Sequence, residues 1–65
     1  MIVLTTRKQQ IVEEYGINTT FTEEQMKDKE FRRKWTMYLL SIQYDVSGAE
    51  IPEEMLQEEA DLIFG

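Results

Sequence analysis

The chain has 65 residues, with 13 acids against 7 bases, and contains neither cysteine nor histidine. Disulfides, thiolate nucleophiles and imidazole or thiolate metal ligands are excluded, and no cofactor is expected. At this length one domain is the limit, and so small a core supplies only about 3–5 kcal/mol.

Charge divides the chain into two unequal halves. Residues 1–44 carry six acids and seven bases, whereas residues 45–65 carry seven acids and no base. A near-neutral body followed by a strongly negative end favours a basic partner surface and disfavours direct nucleic-acid binding. No stretch approaches the ~20 apolar residues of a membrane span, and Met1–Leu4 is too short for a signal peptide. The expected setting is cytoplasmic, with no membrane partner.

The first segment, Thr6 to Tyr15, has the pattern of a short helix. Thr6 and Gln9 are spaced as a capping box, in which each side chain satisfies a backbone N–H of the first turn. Leu4, Ile11, Val12 and Tyr15 then share one face, and Gly16 is a suitable stop. Met1–Leu4 and the alternating Ile17, Thr19 and Phe21 offer an alternative, two short strands in an α+β fold. An isolated two-stranded sheet is marginal.

Thr22-Glu23-Glu24-Gln25 is a second capping box, with acids where the helix dipole favours them. No glycine or proline follows until Gly48, so the pattern predicts one long helix from about Glu23 to Tyr44. At about 100° per residue, Phe31, Trp35, Tyr38, Leu39 and Ile42 form one stripe. Met26, Met37, Leu40 and Tyr44 form another on roughly the opposite side. Lys27, Lys29, Arg32, Arg33 and Lys34 fall around the axis among acids. They suit a solvated surface with pairs such as Glu23–Lys27 and Glu30–Lys34 better than a phosphate-binding patch.

Val46-Ser47-Gly48 breaks the chain again, and Pro52 is placed to open a third helix at its first position. Met55, Leu56, Ala60, Leu62, Ile63 and Phe64 supply its core-facing side. Glu53, Glu54, Glu58 and Asp61 gather mostly on the other, with Glu59 at the border. The fold expected is all-α: a small three-helix domain with a long central helix. That helix is apolar on two sides from Trp35 onwards, so a homodimer is expected to cover what the short helices leave.

Catalysis is disfavoured. General acid–base work would fall to carboxylates, Lys or Tyr, each needing a buried pocket that so short a chain has little room to build. Neighbouring acids such as Glu53/Glu54 and Glu58/Glu59 diverge by about 100° on a helix and form no dyad. No glycine-rich phosphate loop occurs.

Leu4-Thr5-Thr6-Arg7-Lys8-Gln9-Gln10-Ile11 resembles the opening helix of bacterial winged-helix repressors and response-regulator DNA-binding domains, which often begin Leu-Thr-x-Arg. The resemblance covers eight residues and implies a DNA-binding helical regulator as an alternative. No recognition helix follows, and no base-reading residue is carried over.

The leading expectation is a small acidic regulator or inhibitor that occupies a basic or mixed surface of another protein, of the kind phages and mobile elements encode. Nucleic-acid mimicry is one form this takes. Glu53, Glu54, Glu58 and Asp61 are the candidate charged contacts. Trp35 and Tyr38 are the candidate anchors, because aromatic residues dominate binding hot spots. Tyr44 and Phe64 are further aromatic candidates, and core packing is the competing role for all four. A structural homo-oligomer is the third expectation.

Overall fold

A computed structural model describes residues 7–65 as an all-α domain. The elements in order are α1 (Arg7–Tyr15), α2 (Glu23–Lys27), α3 (Lys29–Tyr44), a 3-10 turn (Gly48–Glu50) and α4 (Glu53–Phe64). The Thr6 capping box, the contribution of Leu4 and the Met1–Leu4 strand lie outside the described residues. Among those described there is no strand, and Ile17–Phe21 runs as a loop between α1 and α2.

Gly16 ends α1 in the left-handed region at φ 68°, and its N–H donates to the Val12 carbonyl at 3.0 Å. Glycine adopts that conformation without a Cβ penalty. In the loop, the Thr20 N–H donates to the Asn18 Oδ1 at 2.9 Å, an Asx turn that leads into the next cap. The second capping box then forms as spaced. The Gln25 N–H donates to Thr22 Oγ1 at 3.1 Å, and the Thr22 N–H donates to Gln25 Oε1 at 3.0 Å.

The long central helix expected from Glu23 to Tyr44 is divided at Asp28. Its backbone is extended there (φ −81°, ψ 109°), ending α2 and capping α3 in one residue. The cause is local competition for backbone donors. The Asp28 carboxylate accepts from the N–H of Glu30 at 2.9 Å and of Phe31 at 3.3 Å. An aspartate that can bond the N–H groups ahead of it favours a cap over a helix interior. Arg32 completes the joint by donating its Nε–H to the Met26 carbonyl.

This break changes the packing. In one continuous helix Met26 would lie with Met37, Leu40 and Tyr44; instead it packs against the main core of Ile11, Leu39, Ile63 and Phe64. Tyr15, Ile17, Phe21, Phe31, Trp35 and Ala60 also pack there. A second cluster joins Leu40, Ile51 and Leu56 with Met37 and Met55 beside them. Four side chains expected in the core stripes are exposed: Val12, Tyr38, Ile42 and Leu62. Tyr44, on the second stripe, is exposed as well. The fully buried Thr36 donates its hydroxyl to the Arg32 carbonyl at 2.7 Å, so its burial leaves no unmet polar group.

The corner after α3 is tightly built. Asp45 caps the helix in the left-handed region (φ 54°, ψ 48°), and its N–H donates to the Ser41 carbonyl. A Cβ on Gly48 would come within 2.7 Å of the Met37 side chain, so glycine lets the turn seat against α3. Pro52 is the N-cap of α4 rather than its first helical residue, and its carbonyl accepts from the Leu56 N–H at 3.1 Å.

The Asp28 joint yields a direct test. Alanine is the better helix former, yet Asp28→Ala removes the cap of α3 and is expected to cost about 1 kcal/mol. For a domain of this size that lowers the melting temperature by roughly 4–8 °C, measurable by circular dichroism. A higher melting temperature would show that the two helices fuse without loss.

Candidate functional site

The site begins with the acids of α4. With 3.6 residues per turn, Glu54, Glu58 and Asp61 fall within one third of the helix circumference, opposite the buried Leu56 and Ile63. All three are exposed, and none has a cationic partner among the described residues. The expected carboxylate row is therefore present, short of one member.

That member is Glu53. It turns aside and meets Arg33 of α3 in a two-pronged pair, with Arg33 Nε to Oε2 at 3.0 Å and Nη2 to Oε1 at 2.8 Å. The hydrogen bonds from Arg33 hold the Glu53 carboxyl below its ordinary pKa, and those same bonds raise the Arg33 guanidinium. A carboxyl depressed in the folded state stabilises the fold above its unfolded pKa, and that contribution fades as the pH falls through the depressed value. Both side chains are about half or more exposed (51% and 67%), so solvent screens the pair.

Glu59 is the second acid of α4 that is neutralised, and its partner comes from the far end of the chain. Arg7, the first residue of α1, donates its Nε–H to Glu59 Oε2 at 2.6 Å and its Nη2–H to Gln43 Oε1 at 2.7 Å. The side chains of this pair are only 17% and 13% exposed. One guanidinium thus clasps α1, α3 and α4. Arg7, noticed in the sequence only within the Leu-Thr-x-Arg resemblance, is structural here.

The two aromatic candidates separate. Trp35 is half-buried against the core, with its ring 5.1 Å from Phe21 and 6.1 Å from Phe64. Tyr38 is 55% exposed and Ile42, one turn on, is 43% exposed. Trp35 therefore supports the fold, whereas the Tyr38 side chain is left at the surface. Phe64, also proposed from the sequence, is buried.

The bases of α3 are more ordered than expected. Lys29, Arg32 and Arg33, spaced i, i+3 and i+4, line one wall of a cleft, and Glu53, Gln57 and Asp61 of α4 line the other. Leu56 and Ala60 are its apolar residues, and its volume is about 230 Å³. This cleft was missed because the bases look scattered until α4 supplies the opposite wall. The i, i+3, i+4 spacing was the signal that could have found it. Lys34 makes the expected pair with Glu30 at 2.9 Å, whereas Glu23 and Lys27 are not paired. No cluster of three or more acids able to hold a metal ion occurs among the described residues, and no described helix is long and apolar enough to cross a membrane.

Comparison with protein-family models, with curated proteins and with solved structures gives no match.

The two ion pairs are expected to respond differently to mutation. Glu59→Ala strands a partly buried guanidinium and should destabilise by about 1–3 kcal/mol. Glu53→Gln, at an exposed and screened pair, should leave the thermal melt nearly unchanged. Equal losses for the two variants would refute this division.

Proposed function

We propose that this chain is a small acidic regulator or inhibitor that acts by occupying a basic or mixed surface of another protein. The observation that carries the reading is the row Glu54, Glu58 and Asp61: solvent-facing, without counter-ions among the described residues, on a helix whose opposite face is buried. The fold does not need this row. Carboxylates late in a helix oppose its dipole, and like charges one turn apart repel. Two acids of the same helix, Glu53 and Glu59, are matched to arginines within the chain. The remaining charge is free to meet an outside partner.

Complementary charge speeds encounter and makes binding weaken with salt. Successive carboxylates in the row lie about 4.5–6 Å apart along the axis. On a partner that itself binds nucleic acid, they stand in for phosphates and compete with the natural ligand. Tyr38 supplies an aromatic anchor of the kind that concentrates binding energy.

Charge reversal tests the reading. Glu54→Lys, Glu58→Lys and Asp61→Lys combined should abolish retention of the partner from a lysate on the immobilised chain. The helical circular dichroism spectrum should persist and the melting temperature should hold or rise. Retention of one stoichiometric protein by the parent chain, lost with rising salt, supports the proposal. Unchanged retention by the reversed variant would remove this row as the binding element and move the contact to Tyr38.

A second use of the exposed face at Tyr38 and Ile42 is self-association. A homodimer through these residues should make the melting temperature rise with protein concentration by mass action. Tyr38→Ser should remove that dependence. A monomer in sedimentation at high micromolar concentration, with a concentration-independent melt, would leave Tyr38 to the heterologous partner.

A further inference from the structure

The cleft between α3 and α4 has a chemistry unlike that of the acidic face beside it. Its lining carries three cations, Lys29, Arg32 and Arg33, and two anions, Glu53 and Asp61. Arg33 and Glu53 neutralise each other across it through two hydrogen bonds. Arg32 lies over the Phe64 ring, with its guanidinium carbon 5.7 Å from the ring centre, and spends its Nε–H on the Met26 carbonyl. Its terminal amino groups form no other bond within the described chain, and the Lys29 ammonium and Asp61 carboxylate are without ion-pair or hydrogen-bond partners among the described residues. The Gln57 amide is similarly uncommitted.

What remains after internal pairing is two cations on the α3 wall, one anion on the α4 wall and an apolar floor at Ala60 with the buried Leu56 beneath it. In a chain of net charge −6 this is a locally positive recess. A simple cation is repelled by the α3 wall, and a polyanion by Asp61 and the carboxylates beyond it. The ligand that satisfies all three elements carries a carboxylate, a nearby N–H donor and a short apolar group. Size agrees: about 230 Å³ falls below the ~300 Å³ of drug-sized pockets.

We propose that this cleft binds the carboxylate end of an α-amino acid with a small apolar side chain. The carboxylate meets Lys29 and Arg32, the N–H donor meets Asp61, and the side chain lies on Ala60, over Leu56. Arginine and lysine serve carboxylates well, the guanidinium through paired donors and the ammonium as a point charge. A free amino acid and the C-terminal residue of a peptide present this same chemistry. The inference shares only Asp61 with the acidic-face reading and otherwise draws on the α3 bases, so its test is read at Lys29, which that reading does not use.

The experiment is a nitrogen-15 NMR titration of the full chain with leucine, leucine amide and the tetrapeptide Gly-Gly-Gly-Leu. Leucine or the tetrapeptide should shift the backbone amides of Lys29, Gln57, Ala60 and Asp61 saturably, with a dissociation constant on the order of 1 mM. Leucine amide, lacking the carboxylate, should bind at least about tenfold more weakly. Tighter binding of leucine assigns the site to a free amino acid, and tighter binding of the tetrapeptide to a chain terminus. Lys29→Gln, at an exposed position, should remove the response while leaving the circular dichroism spectrum unchanged. No saturable shift with either carboxylate ligand up to ~10 mM, equal binding of the amide, or an unaltered response in Lys29→Gln would overturn the proposal.

Discussion

The arrangement turns on the burial of Phe64. Here the Phe64 ring is 4.8 Å from Phe21, 6.1 Å from Trp35 and 6.3 Å from Phe31, with the Arg32 guanidinium over it. Aromatic contacts of this kind contribute about 0.5–1.5 kcal/mol each beyond area burial. In a chain without disulfides that is a large share of the available stability. The cluster gathers the 17–22 loop, the first half of α3 and the end of α4. At the other end of α4, Ile51 and Leu56 pack with Leu40. A helix held at both ends does not roll, and its outer face is therefore defined.

That constraint gives the acids of α4 distinct roles. Glu59 lies on the flank that meets α1 and is partly buried with Arg7; Glu53 lies on the flank that meets α3 and pairs with Arg33. Glu54, Glu58 and Asp61 lie on the remaining side. Their mutual repulsion, and the opposition of Asp61 in the last turn to the dipole, are costs that folding does not recover, although Glu54 in the first turn suits the dipole. Asp45 adds another local cost. A negative charge at a helix C-terminus is unfavourable, although aspartate tolerates the left-handed conformation there.

The same crossing of α3 and α4 makes the cleft. Lys29, Arg32 and Arg33 share a face because of their spacing, yet they enclose nothing until α4 lies alongside. The acidic face and the mixed-charge cleft are adjacent and meet at Asp61, but they differ in sign and in the groups they can satisfy. One secondary element thus carries two surfaces of different chemistry.

Local chemistry was legible in the sequence. The Thr22–Gln25 capping box, the stop at Gly16, the all-α class and the outward direction of Glu54, Glu58 and Asp61 all follow from interactions spanning a few residues. The spacing of the chain itself sets such interactions. The division at Asp28 was also local, but it rests on a carboxylate outcompeting helix continuation by only about a kcal/mol, a margin that residue pattern alone does not resolve. Once the helix divides there, Met26 joins a different cluster. Which apolar residues stay exposed was a tertiary decision: Tyr38, Ile42 and Leu62 have the periodicity of core positions, and only the places taken by neighbouring helices leave them uncovered. The Arg7–Glu59 pair spans 52 residues, and Phe21 meets Phe64 across most of the chain. Contacts of that range depend on how faces are matched in space. Periodicity names the faces of a helix, and only packing decides which of them finds a neighbour.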